Sequence, residues 1–163
     1  APTEEEKERG ALVHQNSSDY AKLFDINLSI EPLNRFECYF LNTISDTCAY
    51  IDLVNRNNFG ILYDTFHSNI EEKDPIGSII DAANKINHIH ISENDRGIPG
   101  KGNIPWPETF NAIKKINYKG WLSIEAFGRS LPDLAAATKV WRDFFSSEKE
   151  VYEEGYKFIL SNI

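Results

Sequence analysis

The sequence contains no methionine and only two cysteines among its 163 residues. Without an initiator methionine, Ala1 follows either a removed initiator or a cut. Cys38 and Cys48 have neither C-x-x-C spacing nor a neighbouring histidine, which argues against zinc binding and thiol redox chemistry. We expect two reduced, partly buried thiols in a cytosolic protein.

Long apolar runs and basic clusters are missing too. No run approaches the ~18 apolar residues of a membrane span. The opening stretch, A-P-T-E-E-E-K-E-R-G, is acidic and polar, opposite in character to a secretory signal. The formal net charge is −8 at pH 7, with no basic patch to meet phosphates. We therefore expect a cytoplasmic protein that has neither a nucleic-acid nor a membrane partner.

Four short apolar runs each stop at a residue that can bind a metal ion. A chain of 163 residues is long enough for one domain with a substantial core, which these runs can form. The first run, I-N-L-S-I, stops at Glu31, and the following Pro32 cannot donate into a sheet ladder. The other three runs stop at Asp64, His90 and Glu125. Four strands that each end in a potential ligand need a functional explanation.

A strand-then-helix order is repeated four times along the chain. Strands are predicted at about 25–31, 59–64, 86–91 and 121–125; helices are predicted at about 2–24, 43–57, 107–116, 131–145 and 147–160, with another beginning at Pro75. Such alternation predicts a parallel sheet with right-handed crossovers. The strand-end residues are 33, 26 and 35 positions apart, close to the roughly 31 residues per unit of a (β/α)₈ barrel. We predict an α/β fold, half of a TIM barrel with about four parallel strands, in one partial domain spanning 1–163.

The strand ends carry a donor set suited to a divalent ion. Functional groups in parallel α/β folds lie at the C-terminal ends of the strands. A single strand-end carboxylate more often caps the next helix. Three carboxylates and one imidazole at a shared mouth instead favour a site for Mn²⁺, Co²⁺ or Mg²⁺.

Further polar residues lie just beyond the strand tips. We expect His67 and Arg96 to bind substrate, because loops at this end of the sheet carry such contacts. Glu37 has two open interpretations, a supporting role beside the site or an ion pair with Arg35. His88 alternates with the strand-end histidine, and we favour a packed histidine over a ligand.

Four motifs resemble the D-tagatose 3-epimerase family, which includes the D-psicose 3-epimerases, within the xylose-isomerase-like TIM-barrel superfamily. They are E-P-L-N-R-F-E (31–37), D-T-F-H-S-N-I-E-E (64–72), H-I-H-I-S-E-N-D-R-G-I-P-G-K-G-N-I-P-W (88–106) and S-I-E-A-F (123–127). The resemblance runs from about Asp25 to the end of the sequence. It implies the C-terminal half of the barrel, with the N-terminal barrel units absent.

The resemblance also implies a site. Mn²⁺, or Co²⁺ or Mg²⁺ in its place, would be bound by the four strand-end residues, Glu31, Asp64, His90 and Glu125. The substrate, a small ketose, would be contacted by Glu37, His67 and Arg96. The acid/base pair would be Glu31 and Glu125.

The implied activity is a metal-dependent epimerisation of ketoses at C3 through an enediolate, with the two glutamates moving protons on opposite faces. One alternative is an aldose–ketose isomerase of the same superfamily. Another is a non-catalytic half-barrel that binds metal or sugar. A half-barrel leaves two open sheet edges and an apolar face, so we expect a homo-oligomer or a complementing barrel half.

Overall fold

Strands and helices alternate along the chain in the computed structural model, which describes residues 1–163. The eleven elements, in chain order, are α1 (Glu4–Lys22), β1 (Leu28–Ile30), α2 (Ile44–Val54), β2 (Phe59–Asp64), α3 (Thr65–Glu71), α4 (Pro75–Asp81), β3 (Ile86–Ile91), α5 (Trp106–Lys115), β4 (Leu122–Ile124), α6 (Pro132–Thr138) and α7 (Glu148–Asn162). No helix is both long enough and apolar enough to cross a membrane.

The four strands form one parallel sheet in the order β1-β2-β3-β4. Sequential parallel order is the arrangement of neighbouring units in a TIM barrel, so the predicted half-barrel is confirmed. The register places Asp64 beside His90 and His90 beside Ser123. The C-terminal ends of the strands therefore lie along one edge of the sheet. The outer strands, β1 and β4, each pair with a neighbour on one side only.

The sheet is buried most deeply at its two central strands. Ile61, Tyr63, Ile89 and Ile91 are almost inaccessible to solvent. They pack in one cluster with side chains of the outer helices, such as Phe110 of α5. Burial on both faces explains why β2 is a nearly continuous apolar run. In β3 the buried isoleucines are interspersed with half-buried polar residues.

Side chains that cap the helix termini set where several helices begin. At α1, Thr3 Oγ1 accepts from the Glu6 amide and a Glu6 carboxylate oxygen accepts from the Thr3 amide, which is a capping box. Thr43 and Ser147 accept in the same way from amides three residues on, at the starts of α2 and α7. The α2 helix ends at Asn55, whose φ of 50° is left-handed.

Two helices differ from the sequence prediction. The segment after β2 is helical from Thr65 onward, which no apolar period indicates; the Asp64 carboxylate starts it by accepting from two amides. The helix predicted at 131–145 ends at Thr138, because Lys139 adopts a left-handed φ of 62° that breaks the helical path. The strands predicted at 25–31 and 121–125 are shortened to three residues each.

Candidate metal centre

The four strand-end residues meet at one point. One ligand atom from each of Glu31, Asp64, His90 and Glu125 can be chosen so that all four lie within 4.8 Å of one another. His90 is central to the group. Its Nδ1 lies 3.4 Å from Asp64 Oδ2, 3.4 Å from Glu125 Oε1 and 3.7 Å from Glu31 Oε1.

Two of these ligand atoms have no hydrogen-bond partner. Glu31 Oε1 and His90 Nδ1 are buried and unpaired, a condition that costs free energy unless something else binds them. Three carboxylates and an imidazole form a donor set for a hard or borderline divalent cation. The residues present therefore fit a metal ion.

Crowding of the carboxylates shifts their protonation. Burial, together with the negative charges of Asp64 and Glu125, raises the pKa of Glu31 to about 7. Burial would also raise the pKa of Asp64, but the adjacent imidazole of His90 and the charge of Arg96 outweigh it and hold that pKa below its usual range. Burial opposes protonation of His90, yet Asp64 and Glu125 raise its pKa to about 10.

Asp64 divides its two oxygens between two tasks. Oδ1 accepts from the amides of Phe66, at 2.7 Å, and His67, at 3.3 Å, and so caps α3. Oδ2 faces the cluster, 3.4 Å from His90 Nδ1. The capping role and the proposed ligand role therefore coexist in one side chain.

Arg96 brings a second cation to the cluster. Its Nη1 donates to Asp64 Oδ2 at 3.2 Å, to Ser92 Oγ at 2.8 Å and to Glu125 Oε2. The guanidinium lies 3.7 Å from the centre of the Phe66 ring and 4.9 Å from that of Phe127, a cation–π arrangement that orients its plane.

His67 contacts the site directly, and Asn34 links it to Glu37. The buried His67 ring has its Nε2 3.0 Å from Arg96 Nη2 and 3.9 Å from Glu31 Oε1. Glu37 is exposed and accepts from Asn34 Nδ2 at 2.8 Å. The alternative ion pair between Arg35 and Glu37 is wrong, because the Arg35 guanidinium pairs with Glu71 instead.

His88 lies beside the cluster without joining it. Its Nε2 is 3.0 Å from Ser123 Oγ, and its ring meets that of His90 edge to face. It shares a sheet face with His90, as alternation along a strand requires. His88 is thus half-buried and bonded to Ser123, and it is not one of the four clustered residues.

Sequence reasoning missed Glu93, the most completely bonded carboxylate in the chain. The fully buried side chain accepts four N–H bonds, with Oε1 accepting from the amides of Asn94 and Ile104. Oε2 accepts from the Gly100 amide and the Trp106 indole N–H. These bonds hold the loop that carries Arg96. A carboxylate two residues after a buried strand, followed by a glycine-rich loop, is the signal that could have found it.

The model of the family described as xylose isomerase-like TIM barrel matches residues 7–161. The chain belongs to that family. A D-psicose 3-epimerase from Agrobacterium fabrum is 42% identical over 136 residues, covering 83% of this chain and 47% of the relative. An L-ribulose 3-epimerase from Mesorhizobium japonicum is 34% identical over 161 residues, covering 98% of this chain and 54% of the relative.

Solved structures give the same picture. A D-allulose 3-epimerase from Methylomonas sp., in complex with D-allulose, superposes with a TM-score of 0.94 at 31% identity; the match covers 99% of this chain and 57% of that one. The chain thus spans about half the length of the relatives it matches, and the resemblance to the ketose 3-epimerases is confirmed.

Proposed function

We propose that this chain carries the metal-binding and proton-transferring face of a divalent-metal-dependent ketose 3-epimerase. The observation that supports this most is the convergence of Glu31, Asp64, His90 and Glu125 within 4.8 Å, with two of their atoms unpaired. Relatives named as ketose, D-psicose and L-ribulose 3-epimerases support the reaction class. Mn²⁺ is our first choice of ion, with Co²⁺ and Mg²⁺ as alternatives.

All four cluster residues would hold the ion, which when bound acts as a Lewis acid that stabilises negative charge developing on the sugar oxygens at C2 and C3. Epimerisation at C3 requires a proton to leave one face of that carbon and a proton to return on the other. Two carboxylates flanking one carbon are sufficient for this exchange. Glu31 and Glu125 are the two carboxylates we assign to it, and the reverse reaction interchanges their roles.

His67, Arg96 and Glu37 would bind the sugar. The guanidinium of Arg96 is held by Ser92 and by stacking between two phenyl rings, so its N–H donors are oriented before a ketose arrives. Pre-oriented donors lower the entropy cost of binding and favour one substrate pose. Glu37 lies at the exposed side of this group, where it would accept from a sugar hydroxyl.

We assign the remaining barrel wall to a surface outside these residues, either a complementing barrel half or another copy of this chain. The outer strands β1 and β4 each leave one edge unpaired, and Trp121, immediately before β4, is 79% exposed. Open edges and exposed aromatic side chains favour association. Sedimentation velocity over a range of concentrations tests this, and a strictly monomeric species would contradict it.

The activity is tested by incubating the chain with D-fructose, D-tagatose or D-ribulose, with Mn²⁺ or with EDTA, and identifying the sugars formed. C3 epimers that require metal support the proposal. An aldose product indicates the isomerase instead, and bound metal without any product indicates a non-catalytic half-barrel.

Site variants sharpen the test. We expect Glu31→Gln and Glu125→Gln each to lower turnover by about 10²–10⁴-fold, the usual contribution of a positioned acid or base. Glu8→Gln is the matched control, because Glu8 is exposed on α1 far along the chain from the strand ends. Equal activity in all three variants would exclude the assigned acid/base pair.

A further inference from the structure

Asn34 is a buried polar side chain to which the proposed mechanism gives no role. It is only 2% exposed. It lies in the turn after Glu31, three residues from that carboxylate, and touches two of the three side chains expected to bind the sugar, Glu37 and His67. Its Nδ2 lies 2.8 Å from Glu37 Oε1 and 3.0 Å from His67 Nδ1.

The orientation of the Asn34 amide follows from its partners. Oδ1 accepts from the Phe36 amide at 3.0 Å, and a carboxylate oxygen of Glu37 can only accept from Nδ2 when ionised. Nδ2 is therefore the atom that faces His67. The backbone amide of Asn34 also donates to His67 Nδ1, at 3.0 Å.

Two N–H groups thus point at one ring nitrogen of His67. Nδ1 must present its lone pair to them, so in the neutral imidazole the proton resides on Nε2. That nitrogen faces the site, 3.9 Å from Glu31 Oε1. It also lies 3.0 Å from Arg96 Nη2, and a guanidinium nitrogen can only donate.

We propose that Asn34 is a positioning residue that fixes His67 as the Nε2–H tautomer and orients Glu37. His67 and Arg96 then offer two adjacent N–H donors that cannot bond to each other, and an acceptor oxygen of the ketose is the partner that satisfies both. This assignment rests on the proposed function for the identity of that oxygen. The tautomer itself rests only on the contacts of Asn34.

Long-range ¹H–¹⁵N NMR on the metal-free, ¹⁵N-labelled chain tests the tautomer directly, with His67→Gln used to assign the ring signals. We expect the pattern of a protonated Nε2 and an unprotonated Nδ1 in the unaltered chain. A proton on Nδ1 in that chain would overturn the proposal, whether or not the protein is active.

The variant Asn34→Asp keeps the size of the side chain, the acceptor for the Phe36 amide and the backbone donor. It replaces the Nδ2 donor by a carboxylate oxygen, so His67 Nδ1 then faces one donor and one acceptor, and we expect the Nδ1–H form to become populated. The matched control is Asn58→Asp, because Asn58 Nδ2 also makes two hydrogen bonds, to the carbonyls of Ser18 and Ile26, but at the opposite end of β2.

Unchanged His67 ring signals in a folded Asn34→Asp variant would refute the positioning role. The expected result is a shift in that variant alone, with the Asn58→Asp spectrum matching the unaltered chain. A chain that shows the Nε2–H tautomer but converts no ketose supports the role of Asn34 and counts against the proposed function, so the two failures are distinct.

Discussion

Replacing Glu93 by glutamine tests how the loop that carries Arg96 is held. The carboxylate is fully buried and accepts four N–H bonds, two at each oxygen. Glutamine has the same shape but one oxygen only. Whichever way its amide turns, an NH₂ group must face two N–H donors, so two bonds are lost and two like groups are opposed.

The magnitude follows from the count of bonds. A hydrogen bond to a charged group contributes about 1.5–3 kcal/mol, so the two lost bonds remove about 3–6 kcal/mol. A neutral amide costs less to bury than a carboxylate, which offsets part of this loss. We expect Glu93→Gln to lower the free energy of unfolding by about 3 kcal/mol. That is a large share of the 5–15 kcal/mol typical of a domain.

Urea denaturation followed by tryptophan fluorescence measures the loss. Trp106 is buried and bonded to Glu93, whereas Trp121 and Trp141 are exposed, so the buried indole dominates the change in emission. With a slope of about 1–3 kcal/mol per molar urea, the midpoint should fall by about 1–3 M. The control Glu8→Gln makes the same chemical change at an exposed site and should alter stability by no more than about 0.5 kcal/mol. Equal midpoints for the two variants would refute the reasoning.

Three further predictions concern the site and its loop. A metal ion must displace protons from Glu31, whose pKa is raised to about 7, and from His90, whose pKa is raised to about 10. The affinity for Mn²⁺ should therefore rise between pH 6 and pH 9, and binding should release protons. Calorimetry in buffers of different ionisation enthalpy measures both the affinity and the proton release. A flat pH profile would contradict this. Gly100→Ala should lower the free energy of unfolding by about 1–3 kcal/mol, because Gly100 has a φ of +88° and an added Cβ would lie 2.6 Å from the Phe158 ring. An unchanged midpoint of urea denaturation would contradict this. Arg96→Lys keeps the positive charge but loses the planar guanidinium that contacts the two phenyl rings. The KM for the ketose should therefore rise about tenfold while the metal content stays the same. Loss of the metal in this variant would instead indicate that Arg96 supports metal binding.

The strands and the candidate ligands at their ends were predictable because both depend on local sequence. The bounds of β2 and β3 were predicted residue for residue. Burial on both faces makes β2 an apolar run that ends at Asp64, and isoleucines recur from one end of β3 to the other. The convergence of the four strand ends followed from parallel topology alone. Helix α3 was missed because its start depends on a side-chain cap from Asp64 and not on an apolar period.

The supporting contacts were not predictable in the same way. Glu93 bonds to groups as far away as Trp106, and Asn34 bonds to His67 across 33 positions of sequence. Nothing in the local sequence states which distant N–H groups a loop carboxylate or amide will meet. The partner of Arg35 shows the same limit, because sequence proximity suggested Glu37 and the fold supplied Glu71.

The divided carboxylate of Asp64 has an evolutionary consequence. One oxygen starts the helix that carries His67, and the other faces the cluster. A substitution that removes both oxygens, such as Asp64→Ala, removes the proposed ligand and also loosens the first turn of α3, which carries the histidine proposed to bind the sugar. Loss of this side chain would therefore weaken the proposed ion binding and the proposed sugar binding in one step, which couples the two properties at a single position.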